Sequence, residues 1–233
     1  MLEVEIRKRR RALTVQAEFE LASGDALGLF GPSGAGKSTV LACLAGVETP
    51  DAGRIQLGGQ ALYPPPLALH RRPVGYLTQE PNLFPHLTVA GNVAFGLPRA
   101  RTRTGEQRDW LKRLRDQLHL EDCWDAAASH ISAGQARRVA LARMLARRPA
   151  LVLLDEPFAG LDRNLVRTLI EDLLGWRQAL GFTLIAVDHQ AEVLSRLCPQ
   201  ALAMVAGRVV QRGTWSELRQ TPDETLRRLL APL

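Results

Sequence analysis

The sequence is poor in aromatic residues and in cysteine, and these shortages limit what the protein can be. Phe, Tyr and Trp together make up 5% of the 233 residues. The three cysteines, Cys43, Cys123 and Cys198, are far apart and odd in number, which argues against a disulfide framework and suits a reducing cytosol. The histidines have no spacing typical of metal ligands. We therefore expect neither a disulfide-stapled domain nor a histidine metal site.

Long apolar runs are also missing. No stretch approaches the roughly 20 residues that a helix needs to span a bilayer, and the N-terminus turns basic too early for a secretory signal.

The net charge of +6 would suit a nucleic-acid partner, but the arginines are spread along the chain without interleaved aromatic residues. We therefore predict no nucleic-acid partner. The length suits one large α/β domain with a helical insertion.

A phosphate-binding loop is the most informative segment that the sequence does contain. The pattern G-x-x-x-x-G-K-[ST] is matched without a mismatch by Gly31, Pro32, Ser33, Gly34, Ala35, Gly36, Lys37 and Ser38, and Thr39 follows. An apolar run before the loop predicts a buried strand, and a helix-compatible run follows it, which is the context that the motif requires. Glycines allow backbone N–H groups to turn towards an anion, and a helix N-terminus adds partial positive charge. Lys37 is predicted to reach the β- and γ-phosphates of a nucleotide, and the Ser38 hydroxyl to bind Mg²⁺.

Two adjacent carboxylates follow a second apolar run. The run Leu151–Leu154 predicts a strand buried on both faces of a parallel sheet, and it leads into Asp155 and Glu156. Open α/β sheets place their ligands at the C-terminal ends of such strands. Asp155 is therefore predicted to hold Mg²⁺, directly or through water, and Glu156 to polarise an attacking water. The alternative is a pair of solvated loop acids, which the phosphate loop disfavours.

A third motif lies between the first two. Residues 131–135 read Ile-Ser-Ala-Gly-Gln, and a run of the form Arg-Val-Ala-Leu-Ala-Arg follows. Here the chain resembles the ATP-binding cassette (ABC) ATPases, whose signature is Leu-Ser-Gly-Gly-Gln, and the resemblance covers nearly the whole chain. Ile131 and Ala133 depart from that signature. The resemblance implies that Ser132, Gly134 and Gln135 contact nucleotide.

Three further residues receive a role from the same resemblance. Gln79 follows a strand-like run and matches the glutamine that senses Mg²⁺ and the attacking water. Asp162 ends the segment that matches the loop crossing the dimer interface. His189 follows another strand-like run and matches the histidine that contacts the γ-phosphate. The alternatives are a solvated polar residue for Gln79 and a local hydrogen bond for His189.

The segments Asn82–Val89 and Asn92–Leu97 resemble the part of bacterial importer ATPases that faces the membrane subunits. The resemblance implies an ATP-hydrolysing importer subunit that uses ATP and Mg²⁺. It implies an ATP-dependent head-to-tail dimer with a second copy, integral membrane permease subunits and, indirectly, a solute-binding protein. The location would be peripheral, at the cytoplasmic face of the inner membrane. The alternative is a soluble ABC-family ATPase not coupled to transport.

The expected fold is an α/β P-loop NTPase of the ABC ATPase type. An antiparallel β layer and the phosphate-loop core occupy residues 1 to about 80, and a helical subdomain occupies about 81–145. Residues of about 146–213 return to the parallel core as strand, helix, strand and helix. Residues 1–233 are taken as a single ABC ATPase domain, with no C-terminal regulatory domain. A helix is predicted over Trp215–Arg219.

Two questions stay open at this point. Family members usually carry an aromatic residue on which adenine stacks, but the corresponding run at residues 7–13 has none. A guanidinium from Arg9, Arg10 or Arg11 is one substitute, and a solvated basic turn is the alternative. The transported solute is the second question, because the resemblance fits molybdate-type oxyanion importers and thiamine-type importers equally.

Overall fold

The computed structural model describes residues 1–10, 13–98 and 103–230. Its strands are β1 (Leu2–Arg9), β2 (Thr14–Leu21), β3 (Ala26–Phe30), β4 (Ala52–Leu57), β5 (Gln60–Tyr63), β6 (Val74–Leu77), β7 (Leu151–Asp155), β8 (Thr183–Val187), β9 (Gln200–Val205) and β10 (Arg208–Thr214). Its α-helices are α1 (Lys37–Ala45), α2 (Val89–Val93), α3 (Gly105–Gln117), α4 (Ala133–Ala146), α5 (Arg163–Leu180), α6 (Ala191–Leu197), α7 (Trp215–Arg219) and α8 (Glu224–Leu230).

The strands join into one sheet that has an antiparallel part and a parallel part. The order is β5-β4-β1-β2-β10-β9-β3-β8-β7-β6. Strands β5, β4, β1 and β2 pair antiparallel, whereas β9, β3, β8, β7 and β6 pair parallel. The predicted antiparallel layer and parallel core are both present. Strand β10 joins them, because it pairs with β2 on one side and with β9 on the other.

The hydrophobic patterns of the strands follow their position in the sheet. Every residue of β3, β7 and β8 is buried, as expected of parallel strands covered on both faces. Strand β2 alternates buried and exposed residues, as expected of a strand with one solvated face. The structure adds β9 and β10 to the predicted series of elements after residue 146. The exposure of alternate residues in β10 explains why no apolar run marks it.

Two cores lie on the two faces of the parallel strands. Leu151 and Leu153 of β7 pack into the core that contains α1 and the antiparallel layer. Val152 and Leu154 pack into the other core, with α4, α5 and α6. Successive side chains of a strand point to opposite faces, so Asp155, two residues after Leu153, lies on the face of α1. This alternation brings the first predicted carboxylate towards the phosphate loop.

The helices between β6 and β7 are held by capping and by one tryptophan. Thr104 and Gln107 form a reciprocal capping box at the start of α3. Trp110 of α3 donates through Nε1 to the carbonyl oxygen of Leu145 in α4, at 3.2 Å. After β10 the predicted helix α7 is present, and Trp215 donates to the carbonyl oxygen of Cys198 at 2.7 Å.

Among the described residues, no helix is both long enough and apolar enough to cross a bilayer.

Candidate functional site: a nucleotide-binding and hydrolysis centre

The phosphate loop connects β3 to α1, and two of its glycines have steric reasons to be glycine. Gly31 has φ 147°, and a Cβ there would lie 2.0 Å from the carbonyl oxygen of Met204. Gly36 has φ 99°, and a Cβ there would lie 2.7 Å from a methyl group of Val15. Both positions therefore exclude a side chain. By contrast, the space beside Gly34 is open, which leaves room for an anion inside the loop.

Lys37 begins α1 and folds back over the loop. Its Nζ donates to the carbonyl oxygens of Gly31, at 2.8 Å, and Pro32, at 2.9 Å. The side chain is 6% exposed. Burial lowers the pKa of Lys37, and the negative charges of Asp155 and Glu156 oppose that shift. A buried cation whose partners are neutral carbonyls is well placed to exchange them for phosphate oxygens.

Asp155 ends β7 and lies against the start of α1. Ser38 Oγ donates to Asp155 Oδ1 at 3.2 Å, and Tyr76 Oη donates to Asp155 Oδ2 at 3.3 Å. Burial raises the pKa of Asp155, and the two hydroxyl hydrogen bonds oppose that shift. A serine hydroxyl beside a carboxylate fits Mg²⁺, a hard cation that takes one or two protein oxygens together with phosphate oxygens. Ser38 and Asp155 would therefore hold the ion.

Glu156 is the point at which the three predicted catalytic residues meet. Gln79 Nε2 donates to Glu156 Oε2 at 3.1 Å. His189 Nε2 lies 2.6 Å from Glu156 Oε1. Glu156 also has φ 50°, in the left-handed region, and its N–H donates to the carbonyl oxygen of Val187 at 2.9 Å. A glutamate in this backbone conformation is strained, which is common where surrounding structure fixes a functional side chain.

The signature residues begin a helix. Ser132 is the N-cap of α4, and its Oγ accepts from the N–H of Gln135 at 3.2 Å. The Gln135 side chain accepts in return from the N–H of Ser132 at 2.8 Å. A Cβ at Gly134 would meet Leu161 Cδ2 at 3.5 Å, which is ordinary van der Waals contact, and Asp162 caps α5. Within the described ranges, these side-chain bonds stay inside the capping motifs and do not reach the phosphate loop.

A family match covers most of the chain, from β2 to the segment after Glu156. Residues 15–159 match the family described as ABC transporter. The chain belongs to the ABC transporter family. It carries an ABC ATPase domain, and the predicted fold class is confirmed. A solved structure of an ATP-binding subunit of an ABC transporter has a TM-score of 0.82, with 27% identity, and the match covers 98% of this chain and 97% of that one.

Two curated relatives of this ABC cassette are import proteins by name. An Fe(3+) ions import ATP-binding protein of Streptomyces avermitilis is 40% identical over 223 residues, covering 94% of this chain and 64% of that protein. A thiamine import ATP-binding protein of Jannaschia sp. is 39% identical over 229 residues, covering 97% of this chain and 99% of that protein. The chain therefore spans less than two thirds of the first relative and nearly all of the second.

Three residues of the cassette that touch the site were missed by the sequence analysis. Tyr76 donates a hydrogen bond to Asp155. Arg137 of α4 is 6% exposed, and its Nη1 donates to the carbonyl oxygens of Thr78, at 3.1 Å, and Gln79. Asp188 is 8% exposed and accepts from the N–H of Gln190 at 2.9 Å. Its position next to His189 was a usable signal, whereas Tyr76 and Arg137 carried none, because their contacts come from packing between distant segments.

Two arginines of the basic run at residues 7–13 make contacts with nearby acidic residues. Arg10 forms an ion pair with Glu48. The N–H of Arg9 donates to Asp51 Oδ2 at 2.6 Å. Arg11 lies outside the described residues. The substitution of an arginine for the adenine-stacking ring stays a prediction.

Proposed function

We propose that this chain is the ATP-hydrolysing subunit of a bacterial ABC importer. The observation that carries the proposal is the convergence of Gln79 and His189 on Glu156, one residue after Asp155. Gln79 donates to one oxygen of the carboxylate and His189 contacts the other, so the two side chains fix the orientation of Glu156. This is the arrangement expected of a group that orients an attacking water.

The other residues of the proposed site bind the phosphates and the metal ion. Lys37 exchanges two loop carbonyls for the β- and γ-phosphate oxygens, and the loop N–H groups bind the same anion. Mg²⁺, when bound, neutralises charge that develops on the phosphates. Ser38 and Asp155 would hold that ion. Gln79, which is hydrogen-bonded to Glu156, would contact both the ion and the attacking water. Because Lys37 is already buried, it loses little further solvation when it binds phosphate.

The proposed active unit is a head-to-tail dimer with a second copy of the chain. Ser132 caps the 14-residue helix α4, whose N-terminal N–H groups suit an anion. In the proposed dimer, Ser132, Gly134 and Gln135 of one chain complete the site around Lys37 of the other, and Asp162 lies at the interface. Two equivalent composite sites follow from the two-fold symmetry.

The importer assignment rests on the Asn82–Leu97 segment and on the relatives. Phe84 and Phe95 stack with ring centroids 4.2 Å apart, and Phe95 is 59% exposed. An exposed aromatic residue supported by a second one is suited to bury area against a partner. We propose integral membrane permease subunits as that partner, a solute-binding protein acting through them, and a peripheral location at the cytoplasmic face of the inner membrane.

The solute is proposed at a coarser level. The thiamine import relative is similar over almost the full length of both chains, so a thiamine-like solute is the first to test. A molybdate-like oxyanion is the second, from the resemblance of the phosphate-loop region. The test is purification of the chain in complex with candidate permease subunits, followed by uptake of thiamine and molybdate into vesicles made with that complex.

The test of the catalytic assignment is ATP hydrolysis by Glu156→Gln. We expect this variant to keep ATP binding and to lose at least about a hundredfold in turnover, because the amide is a poor acceptor for the water proton. Glu80→Gln is the matched control, since Glu80 is an exposed glutamate next to Gln79. Equal turnover in the parent and in Glu156→Gln would remove Glu156 from its proposed role. A chain that hydrolysed ATP but bound no permease would favour the soluble ATPase alternative.

A further inference from the structure

Both carboxylate oxygens of Asp155 accept a hydrogen bond from a hydroxyl group, and only one of these groups belongs to the proposed magnesium ligands. Ser38 Oγ lies 3.2 Å from Oδ1, and Tyr76 Oη lies 3.3 Å from Oδ2. Asp155 is 6% exposed, so water has little access to it. The second oxygen therefore depends on Tyr76 for its hydrogen bond in this structure.

The register of the sheet explains why the tyrosine reaches this carboxylate. Strands β6 and β7 are parallel, and Tyr76 pairs with Leu153. Leu153 and Asp155 are two residues apart on β7, so their side chains lie on the same face. Tyr76 packs against the core on that face. A tyrosine is long enough to extend its hydroxyl one pair further along the neighbouring strand, whereas a leucine or valine at this position could not supply a donor.

We propose that Tyr76 is a positioning residue for the magnesium site, holding Asp155 in the orientation that lets Oδ1 and Ser38 face the ion. The inference rests on the proposed function, in which MgATP binds at Ser38 and Asp155. Tyr76 does not touch the ion or the nucleotide in this assignment. It acts through Asp155 by fixing the carboxylate rotamer.

The expected effect is on metal affinity and not on nucleotide affinity. Hydrogen bonds from outside the ligand set orient the ligands, and their loss commonly weakens metal binding by about 10-fold or more. Phe in place of Tyr76 keeps the ring and its packing and removes one hydroxyl. The carboxylate of Asp155 is then held by the Ser38 bond alone and can rotate about its Cβ–Cγ bond, so part of the free energy of metal binding is used to order it.

The experiment compares the parent, Tyr76→Phe and Tyr63→Phe, each in the full chain. Tyr63 is the other tyrosine of the sequence and packs against the same core, which makes it a matched control. A fluorescent non-hydrolysable ATP analogue is titrated in EDTA in one set of samples. In a second, EDTA-free set, Mn²⁺ is titrated into the nucleotide complex and free Mn²⁺ is measured by electron paramagnetic resonance. Thermal unfolding of the three proteins checks that the fold is kept.

We expect Tyr76→Phe to need roughly 10-fold more Mn²⁺ for half-saturation, with unchanged analogue affinity in EDTA. Tyr63→Phe should match the parent in both titrations. Equal Mn²⁺ affinity in all three proteins would overturn the role of Tyr76 while leaving the proposed function intact. A parent that bound neither the analogue nor its Mn²⁺ complex would overturn the proposed function and this inference together.

Discussion

Arg137 donates to the backbone carbonyl oxygen of Gln79 and to that of Thr78. Arg137 belongs to α4, which begins at the signature, and Gln79 donates in turn to Glu156. A continuous series of hydrogen bonds therefore runs from the signature helix to the proposed catalytic carboxylate of the same chain. Burial lowers the pKa of Arg137, and the nearby acids Glu156, Asp155 and Asp188 oppose the shift.

The first prediction follows from that series. Arg137→Met removes the donors and leaves the Thr78 and Gln79 carbonyl oxygens without them, so we expect Gln79 to hold Glu156 less well. Losing about 1 to 2 kcal/mol of this positioning should lower kcat roughly 10-fold and leave KM near that of the parent. The measurements are steady-state ATP hydrolysis and amide hydrogen exchange over residues 78–82.

The neighbouring arginine provides the control for this prediction. Arg138 Nη1 also donates to two consecutive carbonyl oxygens, those of Leu118 and His119, both at 2.7 Å. Arg138→Met therefore loses the same kind of bond away from Gln79, and its kcat should stay closer to that of the parent. Equal losses of kcat in the two variants would mean that α4 is merely destabilised and that Arg137 has no special connection to the site.

The second prediction concerns the composite sites of the proposed dimer. Lys37→Ala and Gly134→Asp should each be inactive alone. Gly134 tolerates a Cβ, since the nearest atom would be 3.5 Å away, so the Gly134→Asp variant should fold. Its carboxylate should repel the γ-phosphate. In a mixed dimer, the intact Lys37 of one chain meets the intact Gly134 of the other, which restores one site. Mixing the two inactive proteins should therefore recover about a quarter of the parent activity, since half of the dimers are mixed and each has one working site.

The control for mixing is Lys37→Ala combined with a Lys37→Ala, Gly134→Asp double variant, which cannot form an intact site in any pairing. Absence of recovered activity in the first mixture, with dimers confirmed by sizing in MgATP, would exclude the head-to-tail arrangement. Activity of Gly134→Asp alone equal to the parent would exclude a role for the signature at the site.

The third prediction is a stability prediction at Arg72. This side chain is 4% exposed and donates to the carbonyl oxygens of Leu67, Leu44 and Leu62, at 2.9, 3.0 and 2.9 Å. The Leu44 contact covers the C-terminal end of α1, the helix that starts at the phosphate loop. Arg72→Met should lower the free energy of unfolding by about 2 to 4 kcal/mol, because several buried acceptors lose their donor. Urea unfolding of the parent and variant measures the change.

Arg71 is the matched control for Arg72, because it is the adjacent arginine and is exposed. Arg71→Met should change the free energy of unfolding by no more than about 0.5 kcal/mol. If the two variants unfolded at the same urea concentration, the buried guanidinium would be dispensable and the carbonyl contacts would contribute nothing net.

Much of the parallel core was predictable from the sequence, for physical reasons that particular strands illustrate. Strands β3, β7 and β8 are buried on both faces, so each leaves a continuous apolar run. The phosphate loop was predictable because its backbone requires glycine at Gly31 and Gly36. Strand β10 was not predicted, since half of its residues face solvent and its pairing with β2 is long-range.

Most candidate site residues could be proposed from the sequence, whereas the contacts between them could not. Gln79 and His189 entered through the family resemblance, because nothing in local sequence places them beside Glu156. The bonds of Tyr76 to Asp155 and of Arg137 to Gln79 depend on the register of β6 with β7 and on the packing of α4. Periodicity assigns a residue to a face of an element, and only the assembled fold decides which distant residue that face meets.

The last prediction concerns the base of the nucleotide, for which the sequence offers arginine in place of an aromatic ring. Arg10 is ion-paired with Glu48, so its guanidinium would have to exchange a carboxylate for adenine. The backbone of Arg9 is fixed by Asp51. We therefore expect Arg9→Ala to weaken ATP binding more than Arg10→Ala does. An exposed cation–π contact contributes about 0.5 to 1 kcal/mol, so the loss should be about two- to fivefold.

One further variant and a second nucleotide make the adenine prediction specific. Arg9→Tyr should keep or tighten ATP binding, because a stacked ring contributes at least as much as the cation. GTP should compete with ATP nearly equally in the parent, since stacking without contacts to the base edge barely distinguishes purines. The measurement is affinity for ATP and GTP of the parent and of the Arg9→Ala, Arg9→Tyr and Arg10→Ala variants. If both alanine variants bound ATP as the parent does, the described part of the basic run would be a solvated turn and the adenine would stack elsewhere.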